Sequence, residues 1–481
     1  MTALASIQDF KDWIGPMVVK ELRQGLRTKS FIGVFIGLQT MLVIITIAMA
    51  DAGSSGESIS AWFWGFINLT FIVLMPLRGF NAISQEARHQ TLELVLMTRL
   101  NARRITYGKW FALYAQTLLF SISLLPFVIM RFFLGGIEIA TEIYILLLFT
   151  IASGALTAIS VGVSAQPSAL LRGAATLLIV FAFVPAQGFL VQFLFFDTRS
   201  SMTLWASSEF WASFGATVFV VAFVILFMVE FGAGYIAPDA DNIATRKRLL
   251  TLGFVVVILG FAFAPAIELE AMVGISLIFA TIPCIDALCE RPAAVASLYT
   301  PFVRRGHPGR MAGRLLYPGW PTGLFFSLLI AGILGVAYFK SFPSVDEELR
   351  LLSPVICFGI LLFPVFVIQL ITPKTTNPFV LYILYQLITL AFCFAMLAID
   401  SGNDSSHVLP LASFIPWAAV LVIGNDHLYD STTTPLFLGT ISSAILFLIL
   451  LIKASPLLRQ IGRLEVAVSD QLASERNSLD G

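Results

Sequence analysis

Charge is scarce in this sequence. Asp, Glu, Lys and Arg make up 12% of its 481 residues, about half of what a soluble domain carries. That shortage excludes water as the solvent for most of the folded surface. Histidine and cysteine are few as well, four of each. His89, His307, His407 and His427 lie in separate stretches and form no His-Glu-x-x-His metal pair. Cys284, Cys289, Cys357 and Cys393 sit in or beside apolar runs, at spacings that match no metal or redox motif. No Gly-x-Ser-x-Gly elbow occurs, which argues against a serine hydrolase. The only Gly-Lys pair, Gly108-Lys109, has no glycine five residues upstream, so a phosphate-cradling loop is missing. The sequence therefore offers no catalytic, metal-binding or cofactor-binding residues.

Apolar residues are abundant instead. They reach 58% of the chain, with a mean hydropathy of +0.89. They come in blocks of about 18 to 25, the length a helix needs to cross about 30 Å of hydrocarbon at 1.5 Å per residue. A β-barrel would show short alternating strands. The predicted fold is an all-α polytopic membrane protein with about 12 transmembrane helices. The first six fall near 31–50, 61–78, 107–130, 142–163, 173–196 and 209–236. The others fall near 249–267, 271–289, 322–339, 351–372, 378–399 and 434–452.

Net charge is zero, with 29 residues of each sign, which points to no acidic partner such as nucleic acid. The useful signal is where the positives lie, because cytoplasmic loops are enriched in them. They cluster at 11–29, 78–109, 246–248 and 291–314. Only Arg131, Arg199, Lys340 and Arg350 fall in loops that alternation places outside. The N-terminus is thus expected in the cytoplasm, with the first span as insertion signal, since residues 1–30 lack an early apolar core. The apolar segment 409–424 is short and carries Pro410 and Pro416. If it dips in without crossing, the basic tail with Lys453, Arg459, Arg463 and Arg476 stays cytoplasmic. The expected organisation is a cytoplasmic elbow region (1–30), a first six-helix unit (31–236) and a cytoplasmic linker (237–248). A second six-helix unit (249–452) and a cytoplasmic tail (453–481) follow. Each unit has the same outline: two spans, a basic stretch, three spans, an outer excursion and a last span.

Glu230 and Asp286 are the candidate membrane carboxylates, in the sixth and eighth spans. Both lie near the cytoplasmic span ends and are expected to be paired or solvated. Gly33 and Gly37 form a small-x-x-x-small pair of the close-packing kind. Trp62, Trp64, Trp205, Trp211 and Trp320 fall near span ends, as an interfacial aromatic belt does.

Two charged stretches follow helical spacing without being able to span. Before the first span, Ile7, Phe10, Ile14 and Val18 share a face, and Lys20-Glu21-Leu22-Arg23 follows. This reads as an elbow helix along the interface. After the second span, Glu86 to Lys109 includes an amphipathic stretch through Leu92, Val95, Leu96 and Arg99. Taken alone, it is a surface helix that anchors a loop.

These stretches resemble the type-2 ABC exporter permeases. That family carries a Glu-Leu-Arg sequence just before its first span. After the second it has a Glu followed by Gly-Thr-x-Glu-x-Leu, then a Gly-Lys opening the third. The chain supplies Glu86, Thr91, Glu93, Leu94 or Leu96, Thr98, Gly108 and Lys109 in that order, departing at Gln90 and Leu100, where glycine and proline are common. Residues 237–246 are similar to a Pro-x-x-x-Asn-Arg stretch after the sixth span. The resemblance covers about residues 7–250.

What it implies is a permease subunit of an ATP-driven exporter. By that resemblance 86–98 is the coupling helix that docks on the ATPase, with Glu86, Arg88, Thr91, Glu93, Leu94 and Thr98 as coupling residues. Lys20, Glu21 and Arg23 are the elbow. Glu290, Arg291, Arg304 and Arg305 are the counterpart candidates of the second half, where a basic loop is also what topology alone requires. No cofactor is expected in this chain, because ATP and Mg would be bound by a partner ABC ATPase, expected as a dimer. Membrane lipids and a second permease or second copy complete the implied partners, in a plasma membrane of the bacterial inner-membrane kind. The rivals are a secondary transporter, which would show broken helices and midplane ionisable groups, and a non-transporting membrane scaffold.

Overall fold

A computed structural model describes residues 16–52, 57–85, 101–134, 139–196, 207–261, 268–293, 295–373, 375–402, 408–425, 429 and 433–480. Among these residues every regular element is helical. Eleven helices among the described residues are long and apolar enough to cross a bilayer. The chain is an all-α polytopic membrane protein. Its internal contacts divide it into two compact units, Met1–Ala237 and Pro238–Gly481.

The first unit opens on α1 (Pro16–Leu26), a short amphipathic helix. The spans α2 (Lys29–Ala52) and α3 (Glu57–Asn68) follow. Helix α3 runs on through a π-helical stretch, Leu69–Leu74, into a last turn at Met75–Leu77. Pro76 has no N–H to donate, and the turn before it widens so that the Met75 N–H reaches the Thr70 carbonyl. Next come α4 (Ala102–Leu134), α5 (Ile139–Ser164), α6 (Ala169–Phe196) and α7 (Ser208–Ile236). Ser207 caps α7, its hydroxyl accepting from the Phe210 N–H at 3.2 Å. Leu42, Phe63, Trp64, Phe71, Phe120 and Phe149 form the centre of the core. Ile36, Ile47, Phe181 and Val184 lie exposed on the outer faces of α2 and α6, as side chains facing lipid do.

Two features of this unit depart from the sequence reading. Arg131 is not a loop cation. It lies inside α4, fully enclosed, with its Nη1 2.7 Å from Glu142 Oε2. Trp64 Nε1 donates to the other carboxylate oxygen at 3.1 Å, and the guanidinium lies 4.1 Å from the Phe63 ring centre. Nor do Gly33 and Gly37 pack closely. A Cβ on either would meet nothing within 4 Å among the described residues. The close crossing is between α5 and α7. A Cβ on Gly162 would sit 2.5 Å from the Met228 carbonyl oxygen, and one on Gly232 2.9 Å from Gly162 Cα.

In the second unit, α8 (Ile243–Gly260) is the helix where the seventh span, 249–267, was expected. It is not among the eleven, because Arg246, Lys247 and Arg248 fill its first turns; residues 262–267 lie outside the described ones. It also begins inside the stretch read as a linker. Then come α9 (Leu269–Cys289), a surface hairpin of α10 (Ala296–Val303) and α11 (Gly306–Leu316), and the spans α12 (Trp320–Ser341), α13 (Glu347–Ile371) and α14 (Pro378–Ser401). The segment at 409–424 is a 3₁₀ turn followed by α15 (Pro416–Gly424). Nine residues reach about 13 Å, too short to cross. The Asp400 carboxylate holds the entry to this segment, accepting from the Val408 N–H at 2.7 Å, the Leu409 N–H at 2.9 Å and the Tyr429 hydroxyl at 3.1 Å.

The last helix corrects a second boundary. α16 (Thr433–Asp480) is continuous over 48 residues, about 72 Å, more than twice the hydrocarbon thickness. Residues 453–480 are therefore an extension of the last span rather than a separate tail. Leu458, Ile461, Leu464, Val468 and Leu472 on this extension pack with Leu298, Tyr299, Phe302 and Tyr317 from the hairpin region.

Replacing Gly162 with leucine should force α5 and α7 apart and cost about 2 kcal/mol. Gly33→Leu, facing open space, should stay within about 0.5 kcal/mol. Thermal unfolding in detergent separates the two outcomes.

Candidate functional site

The charged groups of the described chain gather where short surface helices meet span ends. In the first unit α1 lies against the start of α4. Val18 is buried, and a Cβ on Gly108 would meet Met17 Cγ at 3.2 Å, so the glycine admits the helix. Glu21 turns inward and its Oε1 lies 3.2 Å from Lys109 Nζ. Lys20 and Arg23, the other two elbow residues, are exposed. Below them Arg78 gathers the end of α1. It donates to Gln116 Oε1 at 2.5 Å, Thr28 Oγ1 at 3.2 Å and the Gly25 carbonyl at 3.4 Å. At the start of α4, Arg103 Nε lies 2.5 Å from Glu230 Oε1 on α7. Glu230 is thus a paired carboxylate, as its place near a span end predicts. Residues 86–100, with Glu86, Arg88, Thr91, Glu93, Leu94 and Thr98, lie outside the described residues.

The second unit holds a denser joint. Asn242 caps α8, its side-chain oxygen accepting from the Thr245 N–H at 3.3 Å, and this sets Lys247 and Arg248 one turn in. Lys247 pairs with Asp286 in the last turn of α9, and its Nζ lies 3.0 Å from Glu290 Oε1. Arg248 Nη2 lies 2.7 Å from Glu290 Oε2 and donates to the Gly319 carbonyl at 3.1 Å. Its Nη1 donates to the Leu315 carbonyl at 2.8 Å and to Thr322 Oγ1 at 3.0 Å. One guanidinium therefore ties α8 to the end of α9, the end of α11 and the start of α12. Thr245 adds a bond to the Leu316 carbonyl at 2.8 Å. Gly319 has a φ of 124° and lies against Pro292, a backbone turn that only glycine makes without strain.

Burial pushes the Glu290 carboxyl up, but Lys247 and Arg248 outweigh it and hold the group below the usual carboxylate range. The four second-half candidates consequently separate. Glu290 faces inward as part of the joint and is not an outward contact. Arg291 is exposed and donates to the Thr375 carbonyl at 3.0 Å. Arg304 and Arg305 are exposed at the turn between α10 and α11. At the other end of the hairpin, Arg314 lies 3.5 Å from Glu465 on the extension of α16.

An apolar cavity of about 530 Å³ lies between α9, α12, α13, α14 and α15. Hydroxyls of Thr281, Ser327 and Ser353, with Tyr338, Tyr382, Gln386 and Trp417, supply its polar groups, and no carboxylate or cation lines it. No group of His, Cys, Asp and Glu among the described residues could hold a metal ion. The sequence carried a signal for Lys247 and Arg248, three adjacent cations just before an apolar block. It carried none for Arg248 reaching Leu315, 67 residues away. Compared with known proteins, the chain matches no family model, no curated protein and no solved structure.

Removing one partner leaves the other charges of a buried cluster unmatched, so Glu290→Gln should cost about 3 kcal/mol. The paired replacement Arg304→Gln with Arg305→Gln should cost under about 0.5 kcal/mol. Because the folded pKa of Glu290 is depressed, its contribution is present above the unfolded carboxylate range and is lost as pH falls through the folded value. Melting temperatures measured on acidification should therefore fall for the native chain and fall less for Glu290→Gln.

Proposed function

We propose that the chain is the membrane-spanning permease subunit of an ATP-driven exporter of the type-2 ABC kind. It would couple ATP hydrolysis by a separate subunit to movement of a substrate across a plasma membrane. The observation that carries this reading is the Glu21–Lys109 ion pair, 88 residues apart in sequence. Glu21 belongs to the Glu-Leu-Arg stretch before the first span, and Lys109 to the Gly-Lys that opens the third. Two pieces of the family pattern, separate in the sequence, are parts of one joint. On this reading the joint passes a displacement of the segment 86–98 to α1 and α4. Arg248 does the same for the hairpin α10–α11 and the ends of α8, α9 and α12. Both sets of surface elements, and the two termini, would face the cytoplasm.

Charge placement favours this reading over a secondary transporter. Proton or ion coupling calls for ionisable groups at the midplane that are free to change partners. Glu142, Glu230 and Asp286 are each held by a cation, Arg131, Arg103 and Lys247.

The test is affinity purification of the tagged chain from its native membranes, followed by ATPase assay and sequencing of the partner. A polypeptide with a Gly-x-x-x-x-Gly-Lys-Ser/Thr loop should co-purify and hydrolyse ATP. Scrambling 86–98 should release it while the chain still unfolds at its usual temperature. Transport that persists without ATP but collapses with the proton gradient would contradict the proposal.

A further inference from the structure

Lys340 and Arg350 are two of the four cations that break the charge asymmetry of the loops, and they flank one short turn. Arg131, another of the four, is matched by Glu142. Lys340 and Arg350 are not matched. No carboxylate lies within ion-pair distance of either among the described residues, although Asp346, Glu347 and Glu348 open α13 nearby. The Arg350 guanidinium lies 4.2 Å from the Phe339 ring centre and donates to the Phe342 carbonyl at 3.4 Å. Its Nε is buried without a hydrogen-bond partner.

Both cations line the end of an apolar groove of about 580 Å³ between α12, α13 and α16. Leu328, Val336, Leu351, Val355 and Phe447 form its walls, and Gly332 opens one side. A Cβ on Gly332 would meet nothing within 4 Å, so the groove reaches the backbone of α12 there. From Leu328 to Lys340 the groove follows α12 for about 18 Å, close to the depth of one leaflet, about 15 Å. Apolar walls of that length, ending in two uncompensated cations, match an acyl chain whose head carries negative charge.

We propose that this groove is a binding site for an anionic phospholipid of the surrounding bilayer. The acyl chain lies along Leu328, Gly332 and Val336, and the phosphate stands between Lys340 and Arg350. A zwitterionic lipid brings its phosphate together with its own ammonium and so offers the two cations no net charge, and a second copy of the chain would have to bring a carboxylate to them. The proposal goes beyond the exporter reading and does not depend on it, since lipid binding needs no ATPase.

The experiment is native mass spectrometry of the full chain released into mild detergent from nanodiscs holding equal amounts of phosphatidylglycerol and phosphatidylcholine. The native chain should retain phosphatidylglycerol in preference to phosphatidylcholine. Lys340→Gln should reduce that preference about fivefold, and Lys340→Gln with Arg350→Gln should abolish it, as near-surface cations are worth about that factor each. Gly332→Phe, which fills the groove from an open position, should lower retention of both lipids without lowering the melting temperature. Should the double variant fail to fold, the exposed Lys340→Gln alone decides. Equal retention of the two lipids by the native chain would overturn the proposal, as would a preference that survives removal of the cations. So would a dimer that dissociates on Gly332→Phe with no change in bound lipid.

Discussion

A charge inside a bilayer must be matched by another charge or reach water, and the described structure is organised around that constraint. Three carboxylates within the described spans, Glu142, Glu230 and Asp286, are each held by a cation on a different helix. Arg131 closes α4 onto Glu142 of α5, Arg103 closes α4 onto Glu230 of α7, and Lys247 closes α8 onto Asp286 of α9. Each pair fixes the relative position of two helices at one level of the membrane. Apolar packing alone does not, because lipid tails are as apolar as the side chains that compete with them. The ion pairs therefore supply register, while glycine crossings such as Gly162 over Gly232 supply closeness.

The same pairing joins surface to membrane. α1 and the hairpin α10–α11 are too short and too polar to be stable by themselves in water. Each is bound to span ends by a cation that also donates to carbonyls at or beside helix termini: Arg78 at Gly25, Arg248 at Leu315 and Gly319. A surface helix anchored in this way cannot shift without moving the spans beneath it. Such rigidity is what a protein needs if force is applied at its surface and used within the bilayer. The 48-residue helix α16 adds a second link, because one continuous element touches Ala419 of α15 at Gly439 and the hairpin at Ile461.

Much of this was legible in the sequence. The spans were readable because hydrocarbon leaves few alternatives to apolar helices of about 20 residues. The short segment at 409–424 was readable as non-crossing from charge balance, and its nine-residue helix agrees. Leu458, Ile461, Leu464, Val468 and Leu472 of the α16 extension repeat at helical spacing, but the basic residues among them read as a tail beyond the last span. The hairpin was harder, because Pro301, Gly306 and Pro308 interrupt any periodicity across 296–316. From the sequence, Glu290 is one of the second-half coupling candidates, beside Arg291. Only the folded chain places it between Lys247 and Arg248, 43 and 42 residues upstream. Partner choice among charges depends on helix packing, which a linear pattern does not encode.

The central claim is that ion pairs lock the surface helices to the spans, and a double-mutant cycle at Glu21 and Lys109 tests it most directly. Thermal unfolding would be measured for Glu21→Lys, Lys109→Glu and the exchanged pair. The account predicts that each single reversal is destabilising and that the exchange recovers about 1 to 2 kcal/mol of the summed loss. Losses that simply add would mean that the Glu21–Lys109 pair contributes nothing to holding α1, and would contradict it.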